Sequence, residues 1–297
     1  MKVLSLFDGI SCARVALERA GFDIEKYYAS EIDKYAIQIA QKNYPDTIQV
    51  GSITELKGED FKDIDLLIGG SPCQDLSIAK KDRQGLKGAR SGLFFEYVRI
   101  LKEVKPKYFI LENVNSMPKE AKEQISEIMG VEPIMINASL VSAQNRKRLF
   151  WTNIPNVTQP KDRGIFLRDI LEKNVNDKFH VKDKSYCIPS TYYKENVKSL
   201  VQRKKIGLYC ISSTQKHATI SEDKSTPLVS AMGMGGGHVP MIGGQDAVIR
   251  KLTPTECERL QSLPDNYTDG VSNTQRYKAL GNAFNVEVVK HIVSFIK

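Results

Sequence analysis

Asp65-Leu66-Leu67-Ile68-Gly69-Gly70-Ser71-Pro72-Cys73-Gln74 is the stretch whose reading decides the fold. Its apolar run, Leu66-Leu67-Ile68, is too short for a helix and lacks alternation, so it reads as a strand buried on both faces of a parallel sheet. Two glycines then permit a sharp turn, and Pro72 fixes its own φ while keeping Ser71 extended. Cys73 is thereby placed on a rigid turn at the carboxyl end of a strand, the edge at which open α/β sheets bind ligands. A thiolate is the reactive form of cysteine, and a polar strand-end turn favours it where burial in a core would not. A cysteine serving as a small core residue is the plainer alternative.

Upstream, Lys2–Phe7 reads as a first strand, and Ala13, Ala16, Leu17 and Ala20 follow at helical spacing up to a C-terminal Gly21. The turn between them, Phe7-Asp8-Gly9-Ile10-Ser11, sits where mononucleotide-type ligands meet a helix N-terminus, although it is not the GxGxxG of dinucleotide folds. Tyr27–Ser30 reads as a second strand ending at Glu31, an acidic residue placed to accept both ribose hydroxyls of a nucleoside. A helix to Asn43, a third strand over Thr47–Val50 and the fourth over Leu66–Ile68 continue the alternation.

Downstream, residues 74–92 are polar, with Gly85, Gly88 and Gly92 among Lys80, Lys81, Arg83, Lys87 and Arg90, a long basic loop of the functional kind. Phe94, Tyr97, Val98 and Leu101 make the next helix stripe. Tyr108–Leu111 is a fifth strand, delivering Glu112-Asn113-Val114 to the same sheet edge as Cys73, where a carboxyl group could serve as a general acid. Ile134–Asn137 and Leu149–Thr152 read as further strands. In Gln144-Asn145-Arg146-Lys147-Arg148, strand alternation predicts Gln144, Arg146 and Arg148 on one face, three donors suited to a phosphate or a base carbonyl.

The whole is an α/β chain of 297 residues, enough for one large and one smaller domain. From about Pro160 the periodicity degrades, and Gly233-Met234-Gly235-Gly236-Gly237 marks irregular backbone, predicting a small second domain. Thr253, Pro254 and Glu256 spell a helix start with a capping box, and Gly281-Asn282 reads as the opening of a last helix carrying Val289, Ile292, Val293 and Ile296. The expected division is a domain over 1–158, a second over 159–274, and a segment 275–297 returning to the first.

Net charge is +8, and the segment Gln159–His217 holds thirteen Lys and Arg against six Asp and Glu. That asymmetry favours a polyanionic partner. Five scattered cysteines with no CxxC pair argue against both a disulfide framework and a metal site, and suit a reducing cytoplasm. No signal peptide and no membrane span is expected, because Asp8 interrupts the first apolar run and no other run is long enough.

Taken together, Phe7-Asp8-Gly9, Glu31, Ser71-Pro72-Cys73-Gln74, Glu112-Asn113-Val114, Gln144-Asn145-Arg146-Lys147-Arg148, Arg250-Lys251-Leu252-Thr253-Pro254 and Gly281-Asn282 resemble the S-adenosylmethionine-dependent DNA (cytosine-5)-methyltransferases, of the compact bacterial and phage type. The resemblance implies a Rossmann-like mixed sheet with helices on both faces, the class I methyltransferase fold, plus a small irregular target-recognition domain over about 160–249. It implies Cys73 as nucleophile, Glu112 as the group that holds and protonates the base, Gln144 as a supporting member, and Arg146 and Arg148 orienting the base carbonyl, the phosphate and Glu112. Phe7, Gly9, Glu31, Ile32, Ile53, Gly70, Leu93 and Asn282 would line a site for S-adenosylmethionine, which leaves as S-adenosylhomocysteine. Two positions depart from the family pattern: Ser11 stands where a second glycine is usual, and Ser52 where an aspartate often contacts the adenine. The implied partner is duplex DNA in a nucleoid-associated monomer, with a separate cognate restriction endonuclease, and no metal. The competing readings are a tRNA cytosine-5 methyltransferase and a non-catalytic DNA-binding relative.

Overall fold

The computed structural model describes residues 1–71, 92–173, 209–213, 218–222, 224–229, 232, 239–243 and 250–297. Cys73, Gln74, nearly all of the basic loop, most of the basic segment 159–217 and the run Gly233–Gly237 lie outside the described residues.

The chain divides into two compact units. The first comprises Met1–Asn137, Lys147–Pro160 and Val288–Lys297; the second comprises Ala138–Arg146 and Lys161–Glu287. The first unit is built on a seven-stranded sheet: β1 (Lys2–Leu6), β2 (Lys26–Ser30), β3 (Ile48–Gln49), β4 (Leu66–Gly70), β5 (Tyr108–Val114), β6 (Ile134–Asn137) and β7 (Lys147–Thr152), in the order β3-β2-β1-β4-β5-β7-β6. Strands β1 to β5 pair in parallel, and β7 is antiparallel to both its neighbours. The strand order reverses between β1 and β4. This is the topological switch point, where the carboxyl ends of two adjacent strands open a crevice.

The apolar runs explain the sheet. Val3, Leu4, Leu6, Leu66, Leu67 and Ile68 are fully buried, as strands covered on both faces require. Residue 69 must be glycine for β1 and β4 to meet. A Cβ there would lie 2.7 Å from the Leu6 carbonyl oxygen and 3.2 Å from the Tyr97 ring. The helices of this unit are α1 (Cys12–Arg19), α2 (Lys34–Asn43), α3 (Gly92–Val104) and α4 (Lys119–Met129). Helix α1 stops as expected, with Gly21 at φ +87° donating to the Glu18 carbonyl. Asp33 caps α2 by accepting from the Tyr35 and Ala36 N–H groups at 2.9 and 3.3 Å. Helix α3 turns Phe94, Tyr97, Val98 and Ile100 inward, and Trp151 of β7 is buried with its indole N–H donating to Ser126 Oγ at 3.0 Å.

The second unit contains a four-stranded antiparallel sheet that poor periodicity did not announce: β8 (Tyr209–Ser213), β9 (Ala218–Glu222), β10 (Met241–Gly243) and β11 (Arg250–Lys251), in the order β11-β10-β8-β9. With it are short helix α5 (Leu167–Ile170), α6 (Pro254–Leu260) and α7 (Asn273–Asn282). The last helix, α8 (Val286–Val293), begins in this unit. The capping box of α6 forms as expected. Thr253 Oγ1 accepts from the Glu256 N–H at 3.1 Å, and Glu256 Oε2 accepts from the Thr253 N–H at 2.8 Å.

Two expectations are corrected. Gly281-Asn282 closes a helix rather than opening one: α7 ends at Asn282, Ala283 is extended (φ −65°, ψ 152°), and the helix of Val289, Ile292 and Val293 starts at Val286. Residues 144–148 are not one strand either. Strand β7 begins at Lys147, whereas Gln144–Arg146 bond to partners in the second unit, with the Asn145 N–H donating to the Ser225 carbonyl at 2.8 Å. The one-face argument for Gln144, Arg146 and Arg148 therefore lapses.

Candidate active site

Leaving β1, the chain turns through Phe7, Gly9 and Ser11, all left-handed with φ of 56°, 62° and 59°. Glycine takes this conformation freely, and a Cβ on Gly9 would meet nothing within 4 Å, so a ligand has space to approach the backbone there. The Gly9 N–H donates to Glu31 Oε2 at 2.8 Å, and Glu31 Oε1 accepts from the Ile32 and Asp33 N–H groups at 2.8 and 2.9 Å. A carboxylate has about four acceptor sites, so Glu31 keeps about one for a ligand hydroxyl. The glutamate at the end of β2 thus shapes the Gly9 turn.

Ile32 beside it is 77% exposed. Phe7 and Leu93 are partly buried and pack against the main core. Ile53, in the short turn after β3, is a member of that core, so only its backbone is available to a ligand. Ser52 caps the same turn, its Oγ 2.8 Å from Thr54 Oγ1. Gly70 ends β4 at the switch point. Phe7, Gly9, Glu31, Ile32, Ile53, Gly70 and Leu93 belong to the first unit, and Asn282 to the second.

In sequence Asp8 stood out only as a member of the Phe7-Asp8-Gly9 run and Tyr27 only as the start of a strand; neither was given a role of its own. Asp8 is buried between its neighbours, with the Ser11 hydroxyl donating to Oδ2 at 2.5 Å and the Tyr27 hydroxyl to Oδ1 at 2.7 Å. Burial pushes the Asp8 carboxyl above its ordinary range, against the downward pull of those hydroxyls. The available signal was a charged residue between Phe7 and Gly9 in a strand-to-helix turn.

At the carboxyl end of β4, Gly70 stands opposite Glu112 of β5. On the other side of β5, Glu112 faces Phe150 and Val114 faces Arg148 of β7. Glu112 and Arg148 are diagonal neighbours on one face, and Arg148 Nε reaches Glu112 Oε1 at 2.8 Å with both side chains mostly buried. One carboxylate oxygen is thereby fixed. Asn113, fully buried, donates from Nδ2 to Ser71 Oγ at 3.1 Å and to the Ser71 carbonyl at 3.5 Å. Asn113 thereby fixes Ser71, the last described residue before Pro72 and Cys73 in the sequence. Its position inside Glu112-Asn113-Val114 was visible in sequence; its partner was not.

In the second unit, Arg146 is buried, with Nη1 donating to the Leu228 carbonyl at 2.9 Å and Nη2 to the carbonyls of Ala283 at 3.0 Å and Gly281 at 3.4 Å. It grips the backbone on both sides of Asn282, the exposed last residue of α7. A guanidinium at a helix C-terminus also meets the favourable end of the helix dipole. Gln144 is fully buried, and its side-chain amide has no hydrogen-bond partner among the described residues. No cluster of metal-ligating side chains occurs among the described residues.

The strand order, with its switch point between β1 and β4 and its antiparallel β7, is the Rossmann-like fold of class I methyltransferases. Solved structures agree: a Dnmt2 methyltransferase of S. pombe superposes with a TM-score of 0.71 at 19% identity, over 99% of this chain and 97% of that one. The C-5 cytosine-specific DNA methylase family matches residues 1–297, and the chain belongs to it. It is similar to the type II methyltransferase M.NlaX of Neisseria lactamica, 30% identical over 312 residues covering 100% of this chain and 96% of the relative. It is likewise similar to M.HhaI of Haemophilus parahaemolyticus, at 28% identity over 98% of this chain and 93% of the relative. Membership makes this chain a cytosine-5 methyltransferase. No helix among the described residues is long and apolar enough to cross a membrane.

Proposed function

We propose that this enzyme methylates C5 of a cytosine flipped out of a specific short duplex DNA sequence, through a covalent bond between Cys73 and C6. S-adenosylmethionine, when bound, supplies the methyl group as an electrophilic sulfonium. The residues present fit such a group: open space beside Gly9, an acceptor left on Glu31 for a ribose hydroxyl, and exposed Ile32 for a flat apolar ring. The observation that carries the reading is the register of β4 with β5, which sets Glu112 opposite Gly70, three residues before Cys73.

Cytosine C5 is a poor nucleophile. A thiolate from Cys73 adding to C6, with a proton held on N3 by Glu112, makes C5 enamine-like and able to take a methyl group. Arg148 fixes Glu112 Oε1 and leaves Oε2 for the base. Within its own unit, Arg146 braces the backbone on both sides of Asn282. Loss of the C5 proton then expels Cys73 and restores the ring. None of this can occur inside a stacked duplex, so the base must leave it. The basic segment 159–217 supplies sequence-independent attraction to phosphate.

The type II names of the relatives support a restriction-modification setting with a separate endonuclease. Transfer of labelled methyl groups to duplex DNA and to tRNA, assayed side by side, tests the reading. Incorporation into DNA at C5 supports it; incorporation into tRNA alone would replace the substrate.

A further inference from the structure

We propose that Ser11, tethered through its hydroxyl to Asp8, is the positioning residue that locks the Phe7–Ser11 turn in the shape the adenosyl cofactor requires. The proposal rests on the cofactor reading given above. Ser11 stands at the N-cap of α1, where a serine ordinarily adopts an extended backbone and accepts from a helix N–H. Here it is left-handed (φ 59°, ψ 34°) and makes no side-chain cap bond. An L-residue in that conformation sets its Cβ against a carbonyl oxygen, which is why glycine usually fills such positions.

The missing cap is explained by where the hydroxyl goes. Ser11 Oγ donates to Asp8 Oδ2 at 2.5 Å, and the Ser11 N–H donates to the Asp8 carbonyl at 3.3 Å. Asp8 is itself keyed to β2 from two directions: its N–H donates to the Ser30 carbonyl at 3.1 Å, and Oδ1 accepts from Tyr27 at 2.7 Å. Asp8 is 5% exposed and Ser11 is 0%, so neither bond competes with bulk water. One residue on, Gly9 is tied to the end of β2 through Glu31. Strand β2 therefore holds two consecutive residues of the turn, and Ser11 closes it on the helix side. Two local rules are broken at once, a helix cap forgone and a left-handed serine kept, which is the pattern of a site whose shape matters more than its intrinsic stability. Asp8, Ser11 and Tyr27 together do what a second glycine would do alone.

The discriminating pair is Ser11→Ala and Ser11→Gly. Both lose the hydroxyl, but only alanine keeps the Cβ that opposes the left-handed backbone. Calorimetric titration with S-adenosylmethionine and S-adenosylhomocysteine is expected to show Ser11→Ala about tenfold weaker than Ser11→Gly, the equivalent of ~1.4 kcal/mol. Asp8→Ala is expected to weaken cofactor binding about tenfold when residue 11 is serine and clearly less when it is glycine. Duplex binding without cofactor should be the same for all variants, which separates positioning from general loss of structure. Equal affinity of Ser11→Ala and Ser11→Gly would overturn the proposal, as would an Asp8→Ala cost that is identical in both backgrounds. If Asp8→Ala does not fold, the Ser11 pair alone decides. Failure of the unaltered protein to bind either ligand would instead refute the cofactor reading, and this proposal would fall with it.

Discussion

Replacing Glu31 by glutamine changes one atom type and isolates what that carboxylate does. In the native chain Oε2 accepts from the Gly9 N–H at 2.8 Å while Oε1 accepts from the Ile32 and Asp33 N–H groups. A glutamine keeps one acceptor oxygen and brings two donor hydrogens. With its oxygen on the Ile32 and Asp33 side, its amide nitrogen confronts the Gly9 N–H, donor against donor. Turned over, it confronts two donors instead of one. The cheaper orientation loses the Gly9 bond, and hydrogen bonds to charged groups are worth about 1.5–3 kcal/mol. If the Gly9 turn shapes the cofactor site, S-adenosylmethionine affinity should fall about tenfold to a hundredfold by calorimetry. Glu31→Ala, which also removes the acceptor for a ribose hydroxyl, should fall further. Duplex binding in the absence of cofactor should survive both changes. A Glu31→Gln protein binding within about twofold of the original would refute the tie between Glu31 and Gly9 as a functional one.

Arg148→Met should slow single-turnover methyl transfer about tenfold or more, since a mostly buried Glu112 loses its charged partner, with cofactor affinity unchanged; a normal rate would remove Arg148 from the site. Gly69→Ala should destabilise the first unit by about 1–3 kcal/mol in urea melts, because the new Cβ meets an immovable carbonyl 2.7 Å away; wild-type stability would mean β1 and β4 can part freely. Asp8 is raised on folding, so the folded protein holds that proton more tightly than the unfolded chain. Its contribution to stability is therefore present below the ordinary 3.8 and is lost as pH rises through the folded value. Tyr27 and Glu31, the titratable groups facing it, stay in place in Asp8→Asn. Stability relative to that variant should decline with pH across this window, and a rise would reverse the assignment.

The parallel strands were legible because a strand covered on both faces must be apolar throughout, as Leu66-Leu67-Ile68 is. The α6 capping box was legible because Thr253 and Glu256 are reciprocal partners three residues apart. What sequence could not reach were bonds made across long separations. Arg146 and Arg148 look equivalent in a row, yet one grips the carbonyls of Leu228, Gly281 and Ala283 while the other holds Glu112. Gly281-Asn282 was misread because a glycine beside a helix marks either end, and the carbonyls that Arg146 satisfies identify this one as a C-terminus. Glu31 was assigned to a ligand on its position after β2, but one of its three backbone donors, the Gly9 N–H, comes from the left-handed turn that follows a different strand. Ser11 reads as a lost glycine until its hydroxyl is followed to Asp8.

The central claim is the bond between Cys73 and C6 of the target cytosine, and a duplex carrying 5-fluorocytosine in the recognised site tests it most directly. The thiolate can add and the methyl group can transfer, but completion removes a proton from C5, and fluorine cannot leave as a cation. A covalent complex that survives denaturing electrophoresis should accumulate, only with S-adenosylmethionine present. Cys73→Ala should abolish both the complex and turnover, while replacing Cys12, Cys187, Cys210 or Cys257 should leave the complex intact. A stable complex formed by Cys73→Ala protein, or full methylation by it, would contradict the account.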